Sequence, residues 1–381
     1  MSASVTFENI RFDAGNRLSI DVVDSVRGNS CLWFQLPTPV RPRDDVIALC
    51  LATLCGKVYD SVEFDLVYSE RCAQSLRKIT GAEVTAPSGP EYYRRRGATA
   101  ALNFSGGFDS LAVLEMMPQD TALISLDFGG RFARERASFS NFATNIVATN
   151  LVDLGWHRNS WEFMAVGTIL LRDQLDLGAY AFGTVMEASR DFLAATGSFV
   201  PAVIEACAYL GLTSHNPVRG LTEIGTLAVA ARSYASTFAS VAESVANAPE
   251  AKYTRKILMM TAVAERFHLD LPIPELPSAR AWYDWGDDFA NDFLTPYLVS
   301  VLGVERVQGM YKTALPADVL DFATSARLRL YERFNPEIVA ASAGPLAPRA
   351  YEVAAACGVF SYDRTDWAEL EQLAALLSGA A

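Results

Sequence analysis

Two consecutive glycines stand between a short apolar run at 97–102 and a second at 111–117, in the order Asn103-Phe104-Ser105-Gly106-Gly107-Phe108-Asp109-Ser110. The first run has the length and composition of a buried strand and the second reads as a helix start, so the junction is strand, tight turn, helix. Glycine has no Cβ, and two in succession let backbone N–H groups turn toward one point. A helix N-terminus adds partial positive charge there, and the combination suits phosphate oxygens. Candidate contacts are the amides and hydroxyls of Ser105, Gly106, Gly107, Phe108 and Ser110, with Asp109 as a carboxylate for a magnesium ion bridging the phosphates. No G-x-x-x-x-G-K-[ST] sequence occurs, so this is not a Walker A loop. The alternative is a Gly-Gly turn capped by Asp109 or Ser110. The glycine pair favours the metal reading, because a cap requires no glycines before it.

The same alternation continues downstream. Strands are expected at 97–104, 121–126, 145–153 and 178–183, with helices near 110–117, 132–142 and 161–175, the pattern of a parallel α/β sheet. In such sheets ligands sit at the carboxyl ends of the strands, where the Ser105 loop lies. Upstream, residues 1–90 read as a small α+β module. Its strands fall at 5–12, 18–23, 31–36 and 62–67, with a turn at Asp13-Ala14-Gly15-Asn16. One helix through 46–55 is capped by Asp44 or Asp45, and Ser69 caps another to about residue 79. Ala86-Pro87-Ser88-Gly89-Pro90 reads as a linker. Residues 232–270 read as helical, Pro272, Pro274 and Pro277 mark a break, and the remainder is a helical C-terminal region. Three domains follow, at 1–90, 97–270 and 271–381, as a 381-residue chain allows.

Hydrophobic residues at 51% and charged ones at 20% supply a full core. No stretch approaches 18 uninterrupted apolar residues, and Met1-Ser2-Ala3-Ser4 lacks the basic and apolar regions of a signal peptide, so a soluble cytoplasmic protein without membrane contact is expected. A net charge of −12 argues against nucleic acid as a partner, and Arg94-Arg95-Arg96 reads as a solvated linker. The six cysteines form no C-x-x-C pair and have no histidine at ligand spacing, which argues against zinc and a disulfide framework. His157, His215 and His268 form no triad-like pattern. A homo-oligomer is compatible with the pattern but not read from it.

Four further segments follow the loop in order. Leu126-Asp127-Phe128-Gly129-Gly130-Arg131 ends the second strand, with Glu135 on the next helix. His157-Arg158-Asn159-Ser160 precedes a helix. Ala181-Phe182-Gly183-Thr184-Val185-Met186-Glu187 ends the fourth strand, and Asn216-Pro217-Val218-Arg219-Gly220-Leu221-Thr222-Glu223-Ile224 enters another helix. Asp127 and Phe128 read either as backbone and ring against adenine or as an ordinary strand terminus. Arg158 suits a phosphate or carboxylate, or a surface salt bridge. Asn159 reads as a helix cap or, less readily, as a substrate contact. Glu187 reads as a proton acceptor, a metal ligand, or an exposed loop carboxylate. Lys252, Arg255 and Lys256 read either as cations lining the cleft from a later helix or, with preference, as a solvated helical face, and Trp282, Tyr283 and Trp285 as helix packing rather than ligand stacking.

The S-G-G-x-D-S loop resembles the pyrophosphate loop of the ATP pyrophosphatase superfamily, and the ordered set across 97–260 resembles its 7-cyano-7-deazaguanine synthase branch. The resemblance implies a parallel-sheet domain of the adenine nucleotide alpha hydrolase-like (HUP) type, ATP and Mg2+ as cofactors, and cleavage of ATP between its α and β phosphates. It implies Asp109, Arg158 and Glu187 as catalytic residues, Asp109 as metal ligand, and nucleotide contacts from Ser105, Gly106, Gly107, Phe108, Asp109, Ser110, Asp127, Phe128, Gly183 and Arg219. The family's glutamine is Gly130 here, its Thr-Lys pair is Leu221-Thr222 with Arg219 as a substitute cation, and its four-cysteine zinc cluster has no counterpart between 233 and 256. The implied reaction adenylates a substrate oxygen, usually a carboxylate, after which ammonia or an amine displaces AMP to leave an amide, amidine or nitrile. With Ser2 at the second position no N-terminal cysteine glutaminase is expected, and free ammonia, a partner glutaminase or an amine substrate would supply the nitrogen. Sulfur transfer, which the unpaired cysteines argue against, and non-catalytic nucleotide binding are the alternatives.

Overall fold

Short apolar strands separated by turns and helices assemble into one ten-stranded sheet. In the computed structural model, which describes residues 2–91, 97–139, 141–193, 203–236, 238, 241, 250–276 and 280–378, the strands are β1 (Ser4–Phe12), β2 (Arg17–Asp24), β3 (Ser30–Gln35), β4 (Ser61–Phe64), β5 (Glu83–Val84), β6 (Thr99–Asn103), β7 (Ala122–Asp127), β8 (Thr144–Thr149), β9 (Leu177–Ala181) and β10 (Thr213–Ser214). Their order is β10-β9-β6-β7-β8-β3-β2-β1-β4-β5. The pairs β1–β2, β2–β3 and β3–β8 are antiparallel, and the others are parallel. The fold class is therefore α/β with a mostly parallel sheet. Counted from β6, the parallel half runs 3-2-1-4-5 and reverses direction at β6, the kind of switch point at which open α/β sheets bind ligands.

The chain forms two compact units. The first contains residues 1–105, 118–181 and 202–214 and includes every strand. The second contains 106–117, 182–201 and 215–381. The division falls inside the glycine loop, after Ser105.

In the first unit, alternation buries Phe7, Leu18, Ile20, Leu32 and Phe34 on the core face of β1–β3. Strands read from residues 1–36 and from 121–153 meet where β3 pairs with β8, Phe34 opposite Thr149 and Gln35 opposite Ala148. The helix Asp44–Cys55 is buried almost throughout, and its N-cap is Arg43 with no side-chain cap. Asp44 and Asp45 stand inside the first turn, where their charge complements the helix dipole rather than capping it. Ser69 caps the helix Glu70–Thr80 as expected, accepting from the Cys72 amide at 3.2 Å. The stretch 161–175 is a 3-10 turn, Trp161–Ala165, followed by the short helix Val166–Leu170. The Ser88 and Gly89 amides donate to the Tyr68 carbonyl, tying the Pro-Gly stretch to the preceding chain. Arg94-Arg95-Arg96 lies outside the described residues.

The second unit is helical among its described residues. Its helices include Phe108–Met116, Glu223–Ser233, Ala251–Phe267, Phe289–Leu302, Ala317–Ser325, Pro336–Ala343, Ala347–Ala356 and Arg364–Ser378. Leu227, Leu258, Met259, Phe293, Leu294, Tyr297 and Tyr331 are buried at its centre. Tyr283 pairs its backbone with Met310 and Lys312, and the Trp285 ring lies 6.4 Å from Tyr311. Pro277 lies outside the described residues. Among the described residues, no helix is long and apolar enough to cross a membrane.

Candidate functional site

The glycine loop closes as its sequence requires. Gly106 has φ +74°, a conformation open to glycine and strained for other residues. Gly107 is the N-cap of the helix Phe108–Met116, with extended backbone and no side-chain cap. The Ser110 hydroxyl turns back to the Gly107 carbonyl at 2.8 Å. Ser105 is exposed, in the first unit.

Asp109, in the first turn, anchors a network drawn from distant parts of the second unit. Its Oδ1 accepts from the Thr226 hydroxyl at 2.5 Å. Burial raises its pKa, and Lys256 is the principal cation opposing that rise. Lys256 is 7% exposed, its ammonium 3.0 Å from Glu223 Oε2 and 6.0 Å from the Phe108 ring centroid. Arg255 Nη2 lies 3.3 Å from Glu223 Oε1, and Nη1 donates to Asn291 Oδ1 at 3.2 Å. Burial would raise the Glu223 pKa, but Lys256 and Arg255 outweigh it and hold the carboxylate well below the usual range. Burial likewise opposes the charge on Lys256, and Glu223 and Asp109 prevail, so the ammonium is held charged. Lys252 is exposed, as the solvated-face reading has it, while its neighbours Arg255 and Lys256 are not.

Glu187 is the third acid of this network. It is 4% exposed rather than a surface loop carboxylate, and its Oε1 accepts from the Glu223 amide at 2.8 Å. Its Oε2 is buried and has no hydrogen-bond partner among the described residues. Burial first, and then the charge of Glu223, push its pKa well above the ordinary glutamate value. The two cations are engaged by Glu223, and the burial of Glu187 beside that carboxylate favours its protonated form. Gly183 works through packing. A Cβ there would lie 3.0 Å from the Ser110 amide nitrogen and 3.1 Å from Asp109 Cβ, so its lack of a side chain admits close approach to the helix start. Arg219 is buried with its guanidinium 5.8 Å over the Phe192 ring.

The remaining candidates stand in the first unit, with side chains engaged by other first-unit residues or turned to solvent. Asp127 accepts from the Gly129 amide at 3.0 Å and pairs with Arg136 at 3.4 Å. The Phe128 ring packs between Phe132 and Phe163, with centroids 5.6 and 5.9 Å away. Arg158 is exposed at the end of a 3-10 turn. Asn159 donates to the Leu54 carbonyl at 2.9 Å and accepts from Arg27, while the following helix is capped by Ser160, whose Oγ accepts from the Glu162 amide at 3.1 Å.

Of the two readings of Lys256 and Arg255, the preferred solvated face does not hold, since both side chains are turned inward. The available signal was periodic: Lys256 falls on the stripe of Met260 and Val263, four and seven positions ahead, where a lysine interrupts an apolar face. Among the described residues, no group of three or more His, Cys, Asp or Glu side chains is arranged to hold a metal ion. A helix start with a buried ammonium, an engaged carboxylate and a carboxyl of raised pKa beside it brings together groups that can bind an anion and hold or give a proton. The chain matches no protein family, no curated protein and no solved structure.

Proposed function

We propose that this chain is an ATP-dependent ligase or synthase of the pyrophosphate-loop type. It adenylates an oxygen of a small molecule, most simply a carboxylate, releases pyrophosphate, and lets ammonia or an amine displace AMP. The observation that carries this reading is the network of half-buried Asp109 with buried Lys256, Glu223 and Glu187 at the first turn of the Gly106–Gly107 helix. Desolvating that many charges is costly unless they are paired, and such clusters concentrate at functional sites. The 3-2-1-4-5 strand order, with the glycine loop leaving β6 and Gly183 following β9, supports an adenine nucleotide alpha hydrolase-like domain.

The residues fit a magnesium ion on the phosphates. Asp109 Oδ1 is taken by Thr226, and Oδ2 accepts no hydrogen bond among the described residues. Magnesium is commonly held by one or two carboxylates together with phosphate oxygens, without an all-protein cage. When bound, it neutralises phosphate charge. The loop amides and the helix N-terminus orient the polyphosphate, and Lys256 adds a cation beside the first turn. Lys256 thereby supplies from a later helix the charge absent at Leu221-Thr222. Glu187, whose burial favours its protonated form, would serve as a proton donor beside the network. Asp127, Phe128 and Arg158 are not required by this reading through their side chains.

Incubation with ATP labelled at the α or the γ phosphorus tests the proposal. Pyrophosphate with AMP or an AMP adduct is expected. ADP would refute it, and saturable binding without turnover would favour a non-catalytic nucleotide-binding protein.

A further inference from the structure

The ammonium that the phosphate site would use is already held by a carboxylate. Glu223 engages both buried cations, Lys256 at 3.0 Å and Arg255 at 3.3 Å. Lys256 also acts on Asp109 and lies 6.0 Å from the ring of Phe108, the first residue of the loop helix. We propose that Glu223 is an internal counter-anion that occupies Lys256 until a polyphosphate binds at residues 107–110, and so sets the affinity of that turn for polyphosphate.

This inference rests on the reading of the loop as a phosphate site and adds how the site is regulated. A lysine carries its charge on a flexible four-carbon stem, so the ammonium can move from carboxylate to phosphate, whereas the planar Arg255 fork stays with Glu223 and Asn291. Glu223 therefore keeps one cation when Lys256 turns away. The neighbouring Glu187 gives independent support. A purely structural ion pair has no need of an adjacent carboxyl whose Oε2 is buried without a partner among the described residues. Buried unsatisfied oxygens are uncommon, and here the oxygen marks a cluster arranged for a second pairing pattern.

The test is calorimetric titration of the full chain with inorganic pyrophosphate, without magnesium. Glu223→Gln, which keeps the shape and removes the charge, is expected to bind pyrophosphate at least tenfold more tightly than wild type. Lys256→Met is expected to bind at least tenfold more weakly. Should Glu223→Gln fail to fold by circular dichroism, Glu223→Asp, which keeps the charge but withdraws it by one methylene, is expected to bind more tightly than wild type by a smaller factor. Wild-type binding that neither Glu223 variant strengthens would overturn the counter-anion role and leave the phosphate site standing. No pyrophosphate binding by wild type or by either variant would overturn both.

Discussion

The two units treat their candidate acids in opposite ways. In the first, Asp127 closes a turn with Gly129 and pairs with Arg136, partners two and nine residues away in sequence. The Asp127 contacts follow from local turn chemistry and need no site. In the second, Asp109 meets Thr226 across 117 positions, and Glu223 meets Arg255 and Lys256 across 32 and 33. Only the tertiary fold brings these together, and it does so in a buried setting where each charge must be compensated. A strand-end acid is thus weak evidence for function by itself. An acid tied by the fold to distant cations is stronger evidence.

The largest effect should come from breaking that compensation. Lys256→Met leaves Glu223 with one cation in place of two and should lower stability by about 3–5 kcal/mol, read by chemical denaturation. A loss below about 1 kcal/mol would mean that the pair is solvated in the way the first unit's charges are. Glu187→Gln should cost less than about 1 kcal/mol near neutral pH, because the amide keeps the shape of a carboxyl whose burial favours its uncharged form. Its effect should show in pH dependence. A carboxyl whose folded pKa is raised gives its full contribution below the unfolded glutamate value, and loses it as pH rises toward the folded pKa. Wild-type stability should therefore fall relative to Glu187→Gln from the ordinary glutamate range upward. A wild type that gains on the variant as pH rises would show that Glu187 is ionised in the fold. The smallest effect is expected in the first unit, where Arg158→Ala removes an exposed side chain and should change stability by no more than about 0.5 kcal/mol.

Much of the sheet was legible in the sequence. The expected strands at 5–12, 18–23, 31–36, 62–67, 121–126 and 178–183 overlie β1, β2, β3, β4, β7 and β9, because alternation and apolar runs are local signals. The two-residue strands β5 and β10 carry no periodicity to read. The β3–β8 pairing depends on residues 115 positions apart at Phe34 and Thr149, which no local window contains. At the site, the turn at Gly106 and the carboxylate at Asp109 were legible because glycines and a helix start are local. Lys256 was not, since a charged residue on an apolar stripe declares itself only when its partner Glu223 is known to face it.

The most direct test of the central claim, that the Asp109 network is a nucleotide site, is a calorimetric titration of wild type and Asp109→Asn with ATP, with and without magnesium. Wild type should bind saturably and more tightly with the metal. Asp109→Asn, folded by circular dichroism, should lose the magnesium dependence and bind at least tenfold more weakly. Equal, equally magnesium-dependent binding by the two proteins would contradict the account.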